Sequence, residues 1–319
     1  MKKTIHEELV DILKTHTPEG ENTVDILTNI IPLSKEAAYR RLRGEIKFTL
    51  EDAVHIAIWS GISLDTILNI DKNGQHMFHI QKFFFDKPFE VYYDIIFEST
   101  RACAYVKKDP DALLYFAGNT LPPMLYMRFP LLNQYNFFKW FYQSPCIQSS
   151  SVQLKDVIVP DKVINIQQQL IREIDQINLC MIIGEDIFIA LIKDIQHFYN
   201  IGLITPEELG SLKEEVAAMI DYVETMAANT HSTKGKKNMI YICNTYLNGN
   251  YALLNGRDFE SSVIFIYGIN QLDCNDPVIC KTQKAWFSSL IGFSTLISGC
   301  GILSRTIFFD HQRKLLNSL

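Results

Sequence analysis

The sequence lacks the spacings on which most enzymes are built. No GxGxxG, GxxxxGK, HExxH or GxSxG occurs in the chain, which removes the dinucleotide turn, the P-loop, the zinc-protease helix and the nucleophile elbow. No two cysteines stand as CxxC. The seven present (Cys103, Cys146, Cys180, Cys243, Cys274, Cys280 and Cys300) are odd in number and scattered, which fits reduced thiols better than a disulfide framework. Basic charge is short as well. A formal net charge of −6 excludes a protein that coats nucleic acid indiscriminately, because that requires a basic surface able to displace counterions. Residues 1–14 alternate charge with isolated aliphatics and form no apolar h-region, so no secretory signal is visible and a cytoplasmic protein is expected. Only residues 285–303 run long without a charge. Their length permits a membrane span, but Ser288, Ser289, Ser294, Thr295, Ser298, Gly292, Gly299 and Gly301 dilute the hydrophobicity and break a helix. No membrane partner is expected.

What is present is a globular balance, 47% apolar and 21% charged over 319 residues. That length suits about two domains. The polar stretch between Ile70 and His79, with Asn73-Gly74 inside it, marks a linker, so the expected division is 1–72 and 73–319. The fold class predicted is mainly α, of α+β type: an N-terminal five-helix bundle, then a larger helix-rich α+β domain with a small antiparallel sheet.

The five helices are bounded by local signals. Ile5, Leu9, Ile12 and Leu13 form one stripe and Val24, Leu27, Ile30 and Ile31 the next, which Pro32 stops. Ser34 caps a third helix closed by Gly44. Thr49 and Asp52 stand in capping-box register before a fourth helix that ends at Gly61, and Ser63 caps a fifth carrying Ile67 and Leu68.

In the larger part, residues 78–142 hold 19 of the 37 aromatics, either a well-filled core or an aromatic-lined pocket. A helix is predicted over 161–178. Another begins at Thr205-Pro206-Glu207-Glu208 and carries Leu209, Leu212, Val216, Met219, Val223 and Met226 as a short heptad seam, suited equally to packing inside the domain or to pairing with a second copy. Strands are expected over 239–243, 251–254 and 263–267, with Asn248-Gly249 and Asn255-Gly256 as turns. Helices near 281–291 and 301–317 close the chain.

The chemistry concentrates on the third helix. The short Ile31-Pro32-Leu33-Ser34 connection matches a helix-turn-helix whose second member enters the major groove of DNA. With Ala38 and Leu42 inward, the 100° step puts Glu36, Arg40 and Arg43 outward, Ala37 and Tyr39 at the edges, and Lys35 at the tip. From Ser34 to Thr49 five basic residues oppose two acidic ones, whereas residues 1–71 together carry eight basic against twelve acidic. Positive charge is therefore gathered on one element of an acidic domain. Arg40 is the leading reader of base edges; Ala37 allows close approach; Glu36 either accepts from a cytosine amine or orients an arginine. Arg43, Lys47 and, from the flank, Arg41 are assigned to phosphates.

The run Leu33-Ser-Lys-Glu-Ala-Ala-Tyr-Arg-Arg-Leu-Arg-Gly44, with Phe48-Thr-Leu-Glu-Asp52 and Gly61-Ile-Ser-Leu-Asp-Thr-Ile-Leu68, resembles the Cro/C1-type, or lambda-repressor-like, helix-turn-helix of bacterial and phage transcription regulators. The resemblance covers about residues 5–70. It implies that Lys35, Glu36, Ala37 and Arg40 occupy base-contacting places and that Arg43 faces the backbone. Pro32 stands where that family usually has a turn glycine, and Leu42 where it commonly has an acidic residue.

Other constellations are weak. His76 and His79 are three apart without a partnering carboxylate or thiol, Cys274 and Cys280 suit buried core thiols, and Glu185-Asp186 suits a helix start. No catalytic residue, metal or cofactor is expected. The sequence thus predicts a non-enzymatic, homodimeric regulator of double-stranded DNA whose second domain senses a small-molecule or protein effector. The alternative is a protein-docking module on a helix-turn-helix scaffold, for which the acidic Glu7, Glu8, Asp11, Glu19, Glu21 and Asp25 would suit a protein partner. A third reading makes the second domain an enzyme under a regulatory DNA-binding domain.

Overall fold

The structure, a computed structural model of the chain, describes residues 4–18, 20–60, 62, 64, 77–80, 87–144, 152–299 and 301–319. The chain divides into two compact units, Met1–His76 and Met77–Leu319.

In the first unit, α1 (Ile5–His16), α2 (Thr23–Ile30), α3 (Lys35–Leu42) and α4 (Leu50–Ser60) are helices. Each start satisfies free amides locally. The Thr4 hydroxyl accepts from the Glu7 N–H while the Glu7 carboxylate accepts from the Thr4 N–H. Asn22 accepts from the Val24 N–H and Ser34 from the Ala37 N–H at 3.2 Å. Thr49 and Asp52 exchange a reciprocal pair at 3.1 and 2.9 Å. Leu9, Leu13, Val24, Leu27, Ile31, Ala38, Ala53, Ile56 and Ala57 form the core. The stripe of α1 is turned from the expected one: His6, Leu9, Val10 and Leu13 are buried and Ile5 is half exposed. His6 takes the inward place because its ring stacks on Phe48 at 4.9 Å and accepts from the Phe48 N–H. The expected fifth helix falls on residues 63–68, outside the described residues apart from Leu64.

The second unit is built on one eight-stranded mixed sheet, in place of the small antiparallel one expected. Its strands are β1 (His79–Ile80), β2 (Leu113–Gly118), β3 (Asn178–Gly184), β4 (Asn238–Cys243), β5 (Tyr251–Asn255), β6 (Glu260–Ile266), β7 (Asn270–Cys274) and β8 (Ser294–Leu296), in the order β1-β7-β6-β5-β2-β3-β4-β8. β2, β3 and β4 are parallel neighbours and every other pair is antiparallel. Parallel pairs need crossovers. Here α6 (Pro123–Tyr126), α7 (Pro130–Gln143) and α8 (Asp161–Ile174) connect β2 to β3, while α9 (Ile189–Asn200) and α10 (Pro206–Ala228) connect β3 to β4. α5 (Pro88–Val106) precedes β2, and α11 (Pro277–Phe293) and α12 (Ile302–Asn317) flank β8.

The period-2 alternation of β2 and β3 feeds two cores. Phe116, Leu179, Met181 and Ile183 join the large one with the helical residues Phe137, Phe138, Leu170 and Val216. Tyr115, Ala117, Cys180 and Ile182 join the smaller one with Cys280, Phe287 and Leu290 of α11. Both faces of these strands are covered, as a parallel sheet requires. Most of the described aromatics of residues 87–142 fill core, where Phe137 meets Tyr92 edge to face at 4.8 Å and Phe138 meets Phe198 at 4.9 Å; Phe97 and Tyr105 are exposed, and Tyr105 lines a surface cavity with Phe259. The seam of α10 is likewise internal, with Leu212, Val216, Met219 and Val223 all buried in the large core. Among the described residues no helix is long and apolar enough to cross a membrane.

Candidate nucleic-acid interface

The rotation of α3 is set by what it buries. Ala38 is fully buried and Leu42 packs against the first unit's core. Consequently Ser34, Lys35, Glu36, Tyr39, Arg40 and Arg43 are exposed, Ala37 is half-buried, and Lys47 stands exposed on the following loop. Ser34 is bound to the Ala37 amide as cap.

Arg41 differs from its neighbours. Its Nε donates to the Asp52 Oδ2 at 3.2 Å, with the two side chains only 14% and 9% exposed. Because Asp52 also caps α4 through the Thr49 amide, Arg41 ties α3 to α4 and is withdrawn from the outward surface.

Three of the outward basic side chains, Lys35, Arg40 and Arg43, are held by carboxylates that the sequence reading did not pair with them. Arg40 and Arg43 reach the two oxygens of one residue, Glu45, at 3.5 and 2.8 Å. Lys35 reaches Asp25 on α2 at 2.6 Å, and that hydrogen bond, with the charge behind it, holds the ammonium pKa above its ordinary value. Glu45 therefore takes the arginine-orienting role that was one option for Glu36. Its position follows from the helix end. Gly44, at φ +77°, lets its own N–H reach the Arg41 carbonyl and the Glu45 N–H reach the Arg40 carbonyl, both at 2.9 Å. This is a Schellman closure, which folds the chain back along the last turn and sets Glu45 beside both guanidinium groups.

His6 lies beneath this corner, 3.6 Å from where a Cβ on Gly44 would stand. Burial first, and the charge of Lys47 second, keep its pKa below the ordinary 6.5.

In the second unit the carboxyl ends of β2, β3 and β4 are where an open α/β sheet would admit a ligand. Those of β2 and β3 are occupied by the chain's own side chains. A Cβ on Gly118 would stand 2.1 Å from the Asn250 Oδ1, and one on Gly184 2.5 Å from the Asn119 Oδ1. Asn119 in turn donates to the Leu247 carbonyl, and Asn250 accepts from the Thr120 N–H. Glu185 and Asp186, expected at a helix start, lie in the turn before α9. There they hold α12: Gln312 donates to the Glu185 carbonyl at 2.8 Å and His311 meets Asp186 at 3.3 Å. Cys274 and Cys280 are buried at the end of β7 and in α11. Among the described residues no group of three or more His, Cys, Asp or Glu side chains is arranged to hold a metal; His76 lies outside them.

Comparison with known protein families, with curated proteins and with solved structures finds no match to the chain.

Proposed function

We propose that the chain is a cytoplasmic, sequence-specific DNA-binding transcription regulator that acts as a homodimer. In this reading α2 and α3 form the helix-turn-helix and the second unit carries self-association and the response to an effector. The supporting observation is the outward face of α3: a short helix locked by Ala38 and the Arg41–Asp52 pair, with Arg40, Arg43 and Lys35 exposed on one surface. Arg40 reads a base edge through its guanidinium fork, Ala37 and Tyr39 approach the groove, and Ser34, Arg43 and Lys47 hold phosphates.

The carboxylates of Glu45 and Asp25 compete with DNA for these cations. Exposed pairs of this kind contribute about 0–1 kcal/mol, whereas a bidentate arginine–guanine contact is worth about 1–3 kcal/mol. A correct site displaces Glu45 from Arg40, and phosphate contact alone is opposed by it.

The test is selection of fragmented bacterial genomic DNA by the purified full chain, beside an Arg40→Ala, Arg43→Ala double variant. Enrichment of a short palindromic site by the native chain alone supports the reading. Equal, featureless recovery from both refutes it.

A second reading, a docking module that does not read DNA, is favoured by one observation: Lys35, Arg40 and Arg43 all already face carboxylates of their own unit. Enrichment of one sequence from mixed genomic DNA by the native chain separates the two, since only the DNA-reading protein selects a site.

A further inference from the structure

One cavity of the second unit gathers aromatic rings and charges that the fold itself leaves uncommitted. It lies at the end of the sheet opposite Asn119 and Asn250, where the last turn of α5, the segment leading into β2 and the turn between β5 and β6 meet. Its walls include Tyr105, Lys108, Asp109, Arg257, Asp258 and Phe259, and its volume is about 200 Å³. Pockets for drug-sized ligands run to about 300–1,000 Å³, so this one suits a ligand with a single ring.

Main-chain contacts hold the walls in place. A Cβ on Gly256 would stand 2.8 Å from the Val106 Cγ1, so only glycine lets the β5–β6 turn rest on the end of α5. Within that turn the Gly256 N–H donates to the Phe259 carbonyl at 3.0 Å. The Asp109 carboxylate accepts from the Asp111 N–H at 3.0 Å and from the Arg257 N–H at 2.8 Å, which ties the turn to the segment before β2. Tyr105 and Phe259 meet edge to face at 6.2 Å, and the Lys108 ammonium stands 5.9 Å over the Tyr105 ring.

Asp109 is spent on those two amides, but the other charges of the cavity are not spent. Elsewhere in this unit Arg101, Arg128, Arg305 and Arg313 each donate to an oxygen of the protein. Among the described residues, the Lys108 ammonium, the Arg257 guanidinium and the Asp258 carboxylate make no ion pair or side-chain hydrogen bond, and all three line the cavity. Two rings, two cations and one carboxylate are complementary to a ligand that presents a ring, an anion and a cation together. An anion alone would meet Asp258 unfavourably, and a cation alone would meet Lys108 and Arg257. We propose that this cavity binds an aromatic amino acid of one ring, with the ring against Tyr105 and Phe259, the carboxylate on Arg257 and Lys108 and the ammonium on Asp258. The binding site stands without the DNA reading; the amino acid's role as the effector of a regulator rests on it.

The test is isothermal titration of the full chain with L-phenylalanine and L-tyrosine, beside hydrocinnamate, phenethylamine and L-leucine, which lack the ammonium, the carboxylate and the ring. One of the two amino acids is expected to saturate a single site, and each comparator to bind about tenfold more weakly or less. Arg257→Gln should lower affinity for the amino acid about tenfold and remove its advantage over phenethylamine, and Asp258→Asn should remove its advantage over hydrocinnamate. Both side chains are exposed, so the thermal midpoint of the second unit should stay unchanged, and Arg172→Gln on α8 should bind as the native chain does. No saturable binding of either amino acid at millimolar concentration, a comparator that binds as tightly, or native affinity in both cavity variants overturns the proposal. A chain that binds the amino acid but selects no DNA site refutes the DNA reading and leaves this site standing; one that selects a site but binds neither amino acid refutes the site alone.

Discussion

Replacing Arg41 by alanine should act on stability, and the structure allows its size to be worked out. Arg41 and Asp52 face each other at 3.2 Å with 14% and 9% of their side chains exposed. Removing one partner of a fully buried pair costs about 3–5 kcal/mol, because the remaining charge is left uncompensated. Asp52 retains the Thr49 N–H and some contact with water, which brings the expected loss to about 2 kcal/mol. Opening of the α3–α4 region then becomes about 30-fold more frequent, at 1.4 kcal/mol for each factor of ten. Amide exchange of the full chain over residues 34–60 reads this directly. Arg40→Ala is the control: its side chain is 48% exposed and pairs with an equally exposed Glu45, so its exchange should match the native protein. The double substitution Arg41→Gln, Asp52→Asn removes both charges, keeps an acceptor for the Thr49 amide, and should recover most of the loss. Native-like protection in Arg41→Ala, or no recovery in the double variant, would refute the assignment of Arg41 to the fold.

Four further outcomes are expected. Arg40→Ala should weaken binding to a selected site by about 1–3 kcal/mol and relax one position of it, measured by titration of that site against single-base variants. Glu45→Gln frees Arg40 and Arg43 together, so affinity for unrelated DNA should rise more than affinity for the selected site, and the salt dependence should steepen. The pKa of His6 is lowered on folding, so the first unit holds its full stability above the unfolded value of 6.5 and loses it as pH falls from there through the folded value; in His6→Gln this sensitivity in the melting of α1–α4 should largely disappear. Gly184→Ala drives a Cβ to 2.5 Å from the Asn119 Oδ1, an overpacking of about 1–3 kcal/mol that calorimetry should register as a lower midpoint of the second unit.

What could be read from the sequence was local, and what could not was pairing at a distance. The caps at Ser34, Thr49 and Thr205 and the stop at Gly44 each depend on residues within a few positions, and all are present. β2 and β3 escaped because Leu113–Gly118 and Asn178–Gly184 are covered on both faces by α5, α7–α10 and α11. A strand buried on both sides reads as an unbroken apolar run and loses its alternation, so the expected helix over 161–178 ran on to the first residue of β3. The exposure of Lys35, Glu36, Arg40 and Arg43 could be derived from Ala38 and Leu42 by helical angle alone. The partners of those cations could not, since they depend on a chain reversal at Gly44 and on the packing of α2 against α3.

Those partners change how selectivity is to be understood in the proposed reading. A helix carrying uncompensated Lys35, Arg40 and Arg43 would gain from any phosphate it met, and its non-specific affinity would rise with each counterion released. With Glu45 bridging two guanidinium groups and Asp25 holding Lys35, each cation exchanges one carboxylate for one phosphate at little net gain. Only a contact whose geometry exceeds that of the internal pair, such as a guanidinium fork on a guanine edge, turns the exchange clearly favourable. The acidic residues around α3 thus lower affinity for all DNA and lower it least for the right sequence, which is how a unit of net negative charge can read a groove without being held by the backbone alone.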